Sequence, residues 1–339
     1  MKLRSDSGAQ TLGSDVAALL APFLAAPAAS ASLGYRILTL DPPDEAGRGC
    51  LVFLAPRTRL ASREALARSK AAMAIVQQGE APAPDGIPAL IVRNAHEALA
   101  ALLEAWKDRW ERGIPFASGQ GNAVAPTALV EGCLEGDVIV GPGAVVAAGA
   151  YVGKGTRIGA NAVIESHVRI GRGCEVQAGA VIGCAGFGFY ARGQGQGRHA
   201  ADGESLSPMP HPAGVVIGDG CWIGANTVIA AGVLRPTTLG RGCKLDSHVQ
   251  IAHNVRLGDG CLLASQSGLA GSTVAGHRLR MGGAASVDGH LRLGDDVSVA
   301  ACSGVTKDLP DGSVVAGFPA RPIRAWRREQ IGKKGGRPD

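Results

Sequence analysis

His253, Gly271 and His290 are the residues whose types and spacing could do chemistry. A neutral imidazole near pH 7 takes a proton from an attacking amine or hydroxyl. A glycine admits a carbonyl close to the backbone, where an N–H can hold the oxyanion of a tetrahedral intermediate. Together these groups suit acyl transfer. The competing view is that surface turns accept histidine and glycine for any reason. Spacing alone leaves both open and shows only that the residues recur together: His253, Gly271 and Gly289 are 18 residues apart in sequence, as are Asn254, Ser272 and His290.

Eighteen residues is three repeats of six. A large aliphatic recurs every sixth residue from Leu134 to Ile182, from Ile217 to Ile229 and from Leu239 to Val305, with Ala275 the weak member. The next position is usually Gly or another small or acidic residue. The fifth is small or β-branched, as in Ala144, Thr156, Val249 and Ser267. Short strands with positions 1 and 5 inward, joined by glycine-tolerant turns and stacked on one another, bury faces that one repeat cannot bury alone. The pattern resembles the hexapeptide-repeat families, which implies a triangular 18-residue coil and a left-handed parallel β-helix, against the usual crossover rule. The series holds 24 repeats, hence eight coils and a rod of roughly 40 Å at ~4.8 Å per coil. His253 and His290 then lie on one side of it, about 10 Å apart along the axis.

The repeat breaks twice. Residues 186–216 leave it in a glycine-rich excursion with Phe187, Phe189, Tyr190 and His211, and a four-residue excess separates Ile229 from Leu239. Loops leaving a rigid solenoid either build sites or are inert insertions.

Three segments follow. Residues 1–115 lack the repeat and read as a small α/β domain: strands at Arg36–Leu40, Cys50–Leu54, Ala72–Val76 and Ala89–Val92, and helices at Glu64–Ala71 and Ala95–Trp110. Residues 116–317 are the β-helix with its excursion at 186–216. Residues 318–339 are a basic tail, with a short helix over Arg321–Gln330. The apolar run Val16–Ala29 resembles a signal peptide, but Asp6, Asp15, Pro22 and Pro27 favour a short amphipathic helix. No segment reaches the ~20 apolar residues of a membrane span.

Composition agrees: 50 glycines, 46% hydrophobic residues and 4% aromatics suit tight turns around aliphatic cores. The net charge of +5 is concentrated at the C-terminus, where seven cations from Arg321 to Arg337 face Glu329 and Asp339. That tail is either simply solvated or a dock for an acidic partner. Nucleic acid is disfavoured, because only Trp326 interleaves with the charges. Eight cysteines without a CxxC pair, four of them at repeat position 5, read as small core residues of a reduced, cytoplasmic protein.

The stretch Leu245-Asp246-Ser247-His248-Val249-Gln250-Ile251-Ala252-His253-Asn254-Val255 resembles the active-site coil of the UDP-3-O-(3-hydroxyacyl)glucosamine N-acyltransferases of lipid A synthesis. Gly186-Phe187-Gly188-Phe189, Ala270-Gly271-Ser272, the run Met281–His290 and the run Gly317–Arg327 match too. The resemblance implies a homotrimer with sites in the clefts between rods. It implies transfer of a 3-hydroxyacyl chain from the phosphopantetheine of acyl carrier protein to the 2-amino group of a UDP-linked 3-O-acylglucosamine, with no metal or other cofactor. His253 would be the general base and Gly271 the oxyanion donor. His290, Asn254, Gln250, Asp246 and Phe53 would bind substrate, and the basic tail would meet the acidic carrier.

Two departures stand out. The family grips uracil with Phe-x-x-Asn-x-x-Tyr, and the corresponding segment here keeps Phe53 but has Pro56 and Arg59. The family's Asp-Arg-Gly turn is Ala230-Ala231-Gly232. A related enzyme acylating another amino sugar is therefore the main rival. A zinc enzyme of the γ-carbonic anhydrase kind, using His211, His248 and His253, and a non-enzymatic scaffold trimer are the remaining alternatives.

Overall fold

A computed structural model describes residues 13–25, 37–40, 43, 46–54, 60–69, 71–80, 82–83, 85–106, 121–191 and 206–334. The chain divides into two compact units: Met1–Arg112 with Phe187–Pro212, and Gly113–Gly186 with Ala213–Asp339.

The first unit holds a parallel sheet ordered β1 (Thr39–Leu40), β2 (Cys50–Leu54), β3 (Met73–Gln77), β4 (Ala89–Val92). β2 is buried along its whole length, as expected of a strand covered on both sides. Helices α1 (Gly13–Leu19), α2 (Leu60–Ala67) and α3 (Ala95–Ala105) complete it. Asn94 caps α3, its Oδ1 accepting from the His96 and Glu97 N–H groups at 3.0 and 3.2 Å. Pro22 ends the N-terminal helical stretch in a single 3₁₀ turn, Ala21–Phe23. α2 starts and stops about four residues ahead of the expected span, because residues 71–72 already lead into β3. The excursion contains an antiparallel hairpin of Phe189–Ala191 with Leu206–Pro208, and its tip lies outside the described residues.

The second unit is the left-handed parallel β-helix that the repeat predicts. Three sheets of eight, nine and eleven strands wind together. On the nine-stranded face the outward positions are Leu129, Val145, Val163, Val181, Val228, Gln250, Gly268, Ser286 and Gly304, without a single charge. The eight-stranded face presents Arg169, Arg256 and Arg292. The eleven-stranded face presents Trp222, Lys244, Leu262 and Arg280. These are called the charge-free, arginine and long faces below.

Register confirms the 18-residue coil: Ile251 pairs with Leu269, and Leu269 with Val287. All three are at most 2% exposed in the aliphatic core. Ala275 is also buried, at 3%, so the weakest member of the series still points inward. Nine strands on one face mark one coil more than the eight counted from the repeat. The rod already begins at Ala123–Val124 and Leu129–Val130, and the four-residue step from Val130 to Leu134 hides these strands from a six-residue count. It continues to Val314–Ala316, after a ten-residue step from Val305. Arg321–Pro322 then pairs antiparallel with that strand and leads into α4 (Ile323–Lys334), two residues later than expected.

Position 4 turns the corners. Asn161, Asn226, His248, Asn254, Ser272 and His290 have φ between 54° and 63°, a left-handed conformation for which Asn and His are enriched among non-glycine residues. Inward polar groups close hydrogen bonds between coils: the fully buried Thr227 hydroxyl donates to the Asp246 carbonyl at 2.8 Å and accepts the Val249 N–H at 3.1 Å. Thr227→Val keeps the shape but orphans both backbone groups. It is expected to lower unfolding free energy by about 1–3 kcal/mol, read as an earlier denaturant midpoint at unchanged slope.

Candidate functional site

His253 lies on the edge where the charge-free face turns into the arginine face. Strand Gln250–Ile251 delivers it, Asn254 turns the corner at φ 62°, and Arg256–Leu257 leads away. Ser272 and His290 turn the same corner in the next two coils, at 62° and 61°. Gly271 and Gly289 therefore stack with His253. The Ser272 N–H donates to the His253 carbonyl, and the His290 N–H to the Gly271 carbonyl, both at 2.9 Å.

The imidazole rests on Gly271. A Cβ there would fall 2.7 Å from both Cε1 and Nε2 of His253, so only glycine admits the ring in this position. The next glycine differs in a way that bears on chemistry. The Gly289 N–H donates to the Asp288 carboxylate at 2.8 Å, but Gly271 follows Ala270, which has no acceptor. No hydrogen bond among the described residues takes the Gly271 N–H.

Asn254 orients the ring. Its Oδ1 lies 3.1 Å from His253 Nδ1 and accepts the Val233 N–H at 3.3 Å. Its Nδ2 donates to the Arg235 carbonyl at 3.0 Å, and its backbone N–H to Thr237 Oγ1 at 2.9 Å. The Val233 N–H demands an oxygen and the Arg235 carbonyl demands an NH₂, so both ends of the amide are assigned by its neighbours. Oδ1 has only acceptor capacity. In the neutral ring Nδ1 therefore carries the hydrogen, and Nε2, against Gly271, carries the lone pair.

The other candidates divide. Gln250 is exposed on the charge-free face one turn before His253, with Gly268 stacked beside it. Asp246 stands on a different edge, where the long face meets the charge-free face, and caps the Ser247 N–H at 2.7 Å. It borders a cavity of about 710 Å³ on the long face, floored by Trp222 and Leu262 and rimmed by Lys244, Arg280 and Arg327 of α4. Phe53 is only 6% exposed within β2, so its ring offers little surface for stacking. Pro56 and Arg59 lie outside the described residues. His248 shares the edge of Asp246 and is separated from His253 by strand Gln250–Ile251. Among the described residues no three His, Cys, Asp or Glu side chains form a metal-holding group.

Val233, Arg235 and Thr237 were not singled out by sequence. Their signal was the four-residue excess itself, which falls on the His253 edge one coil earlier, between Val228–Ala230 and Thr237–Leu239. The long excursion leaves the same edge one coil before that, between Val181–Cys184 and Val215–Ile217.

The stacked coils carry a six-residue repeat that family models match over part of the chain. The chain matches the bacterial transferase hexapeptide (six repeats) over 149–184 and 236–271, and the hexapeptide repeat of succinyl-transferase over 214–249. Its curated relatives include a UDP-3-O-acylglucosamine N-acyltransferase from a Caulobacter species, 42% identical over 155 residues, covering 45% of this chain and 42% of that protein. The protein of that name from Helicobacter hepaticus is 40% identical over 151 residues, 44% of either chain. The chain thus matches somewhat under half the length of these relatives. The solved UDP-N-acetylglucosamine acyltransferase from Bacteroides fragilis shares the fold at TM-score 0.50 and 24% identity, over 60% of this chain and 77% of that one.

Gly271→Ala is expected to leave the rod folded, since position 3 faces outward, while driving the His253 ring off its seat. A crystal structure of the variant would show a changed His253 rotamer beside an unchanged backbone.

Proposed function

We propose that the protein is an N-acyltransferase that moves a 3-hydroxyacyl chain from acyl carrier protein to the 2-amino group of UDP-3-O-acylglucosamine, in lipid A synthesis. The observation that carries this is the pairing of a base and an oxyanion donor at one point: His253 Nε2, its lone pair fixed by Asn254, beside the open N–H of Gly271. The names of the relatives supply the substrate class.

In this mechanism His253 Nε2 accepts a proton as the sugar's amino nitrogen attacks the thioester carbonyl of the donor. The carbonyl oxygen becomes an oxyanion, and the Gly271 N–H donates to it. Collapse of the tetrahedral intermediate expels the phosphopantetheine thiolate, which His253 reprotonates. The acyl donor is the only group the reaction requires besides the sugar. His290 and Gln250, close by on the same rod, bind substrate.

The charge-free face supports assembly as a homotrimer. Its small outward residues form a flat strip with no charge to desolvate, and it borders both the His253 edge and the Asp246 edge. Packing between rods would bring Asp246 of one subunit toward the site of the next. The exposed Arg324, Arg327 and Arg328 of α4, with Lys244 and Arg280 beside them, suit the acidic carrier. Eight free cysteines fit a reducing, cytoplasmic setting, and no helix among the described residues is long and apolar enough to cross a membrane.

The same chemistry on a different amino sugar is the second reading, favoured by the burial of Phe53 and by Pro56 and Arg59 in the segment that grips uracil in the family. One assay separates the two. The purified protein with 3-hydroxyacyl carrier protein is expected to acylate UDP-3-O-acylglucosamine, and turnover with another amino sugar alone selects the alternative. His253→Ala is expected to reduce the rate by about 10²–10⁴-fold with the assembly intact by light scattering. Near-normal turnover of that variant removes His253 as the base.

A further inference from the structure

The four extra residues between Ala230 and Thr237 hold Asn254 at both ends of its amide. The Val233 N–H meets Oδ1 and the Arg235 carbonyl meets Nδ2. Thr237, where the chain rejoins the repeat, takes the Asn254 backbone N–H. The bulge is itself tied down from the other side. The Gly232 N–H donates to the Gly214 carbonyl and the Ala213 N–H to the Gly232 carbonyl, both at 3.0 Å, while the Ala231 N–H donates to the Cys184 carbonyl at 2.8 Å. Gly214 and Gly232 form an isolated antiparallel bridge. Cys184 and Ala213 are the two roots of the long excursion, so backbone bonds tie those roots to the bulge, and the Asn254 amide and the Thr237 hydroxyl tie the bulge to the His253 coil.

Gly232 is the tightest point of this stack. A Cβ built on it would overlap the Arg235 carbonyl oxygen and stand 3.0 Å from Asn254 Nδ2. Its φ is not in the left-handed region, so the requirement for glycine is one of space. Any side chain at 232 must displace the very carbonyl that tells the Asn254 amide which way to face.

We propose that the bulge Ala231–Pro236 is a clamp on the Asn254 amide and that Gly232 is a positioning residue for the site: by leaving room for the Arg235 carbonyl, it fixes the amide orientation and through it the Nδ1–H tautomer of His253. This rests on His253 being the base. The tautomer itself is independent of any substrate. Without the clamp the amide can turn over, present NH₂ to Nδ1, and move the ring hydrogen to Nε2, where the lone pair is needed. Both groups that hold the amide, the Val233 N–H and the Arg235 carbonyl, are backbone groups, so the device survives the replacement of the family's Asp-Arg-Gly turn by Ala230-Ala231-Gly232.

The test is ¹⁵N NMR of the full chain with labelled histidine, at a pH where the imidazole is neutral, alongside steady-state kinetics with acyl carrier donor and amino-sugar acceptor. In the wild type the His253 Nδ1 resonance is expected at the protonated position and Nε2 at the unprotonated one. Gly232→Ala is expected to draw the two resonances together and to lower kcat by about 10²-fold, the scale of a 1 Å misplacement, with acceptor KM nearly unchanged. Adding Asn254→Asp is expected to restore the wild-type pattern, because a carboxylate presents an acceptor whichever way it faces. A purely structural glycine gives no such rescue. Should Gly232→Ala fail to fold, Val233→Pro, which deletes the N–H at Asn254 Oδ1 without adding bulk at 232, is expected to shift the resonances the same way. An unchanged ¹⁵N pattern in a folded variant, or a lost pattern that Asn254→Asp does not restore, overturns the clamp. If the tautomer follows the clamp but no acceptor is turned over by any form, the positioning stands and the acyl-transfer assignment falls.

Discussion

Successive coils of the rod exchange backbone hydrogen bonds in both directions, and that parallel ladder is what everything else depends on. Ala252 donates to Leu269 and Ala270 to Val287, each at 3.0 Å. Because the ladder runs in register, a residue's place in its coil decides which neighbours it has 18 residues away. One triangular cross-section is copied along the axis. An edge position becomes a column, and chemistry spread thinly through the sequence is gathered at ladder spacing, ~4.8 Å per coil. The cost is that each regular corner needs a left-handed residue at position 4, which explains the Asn, His and Ser found there more simply than function does.

Against that background, the His253 edge is singled out by departures from regularity. Both insertions emerge from it, in consecutive coils above His253. Elsewhere the four- and ten-residue steps near Val130 and Val305 merely change the length of a side. Here the extra backbone supplies hydrogen-bonding groups that a regular coil lacks. A repeat of six offers one N–H and one C=O per position, many of them bonded within or between coils. Val233 and Arg235 have such groups to spare because they stand outside the ladder, and Asn254 uses both.

Small differences between equivalent positions decide what each column can do. Gly271 and Gly289 occupy the same place in successive coils, yet one N–H is open and the other capped. The cause is the preceding residue, Ala270 against Asp288. A carboxylate at 270 would both consume the donor and set a negative charge beside the developing oxyanion. Likewise Asn254 is a neutral acceptor for His253 Nδ1. It fixes the ring's orientation through one hydrogen bond and brings no charge to the edge.

Much of this was legible in the residues. The period of six forced inward and outward positions, so the aliphatic core, the 18-residue columns and the stacking of His253 on Gly271 follow from counting, since parallel strands in register leave no freedom of pairing. The ends of the rod were missed because irregular steps at Val130 and Val305 defeat a fixed period although the strands still pair. The burial of Phe53 was missed for a different reason: a motif match says nothing of what packs over a strand, and β2 is covered on both sides. The direction of the Asn254 amide also had to await the folded chain. It depends on one N–H and one carbonyl about twenty residues away, from a bulge whose length the sequence displayed but whose backbone path only three-dimensional packing against Gly214 and Cys184 could set.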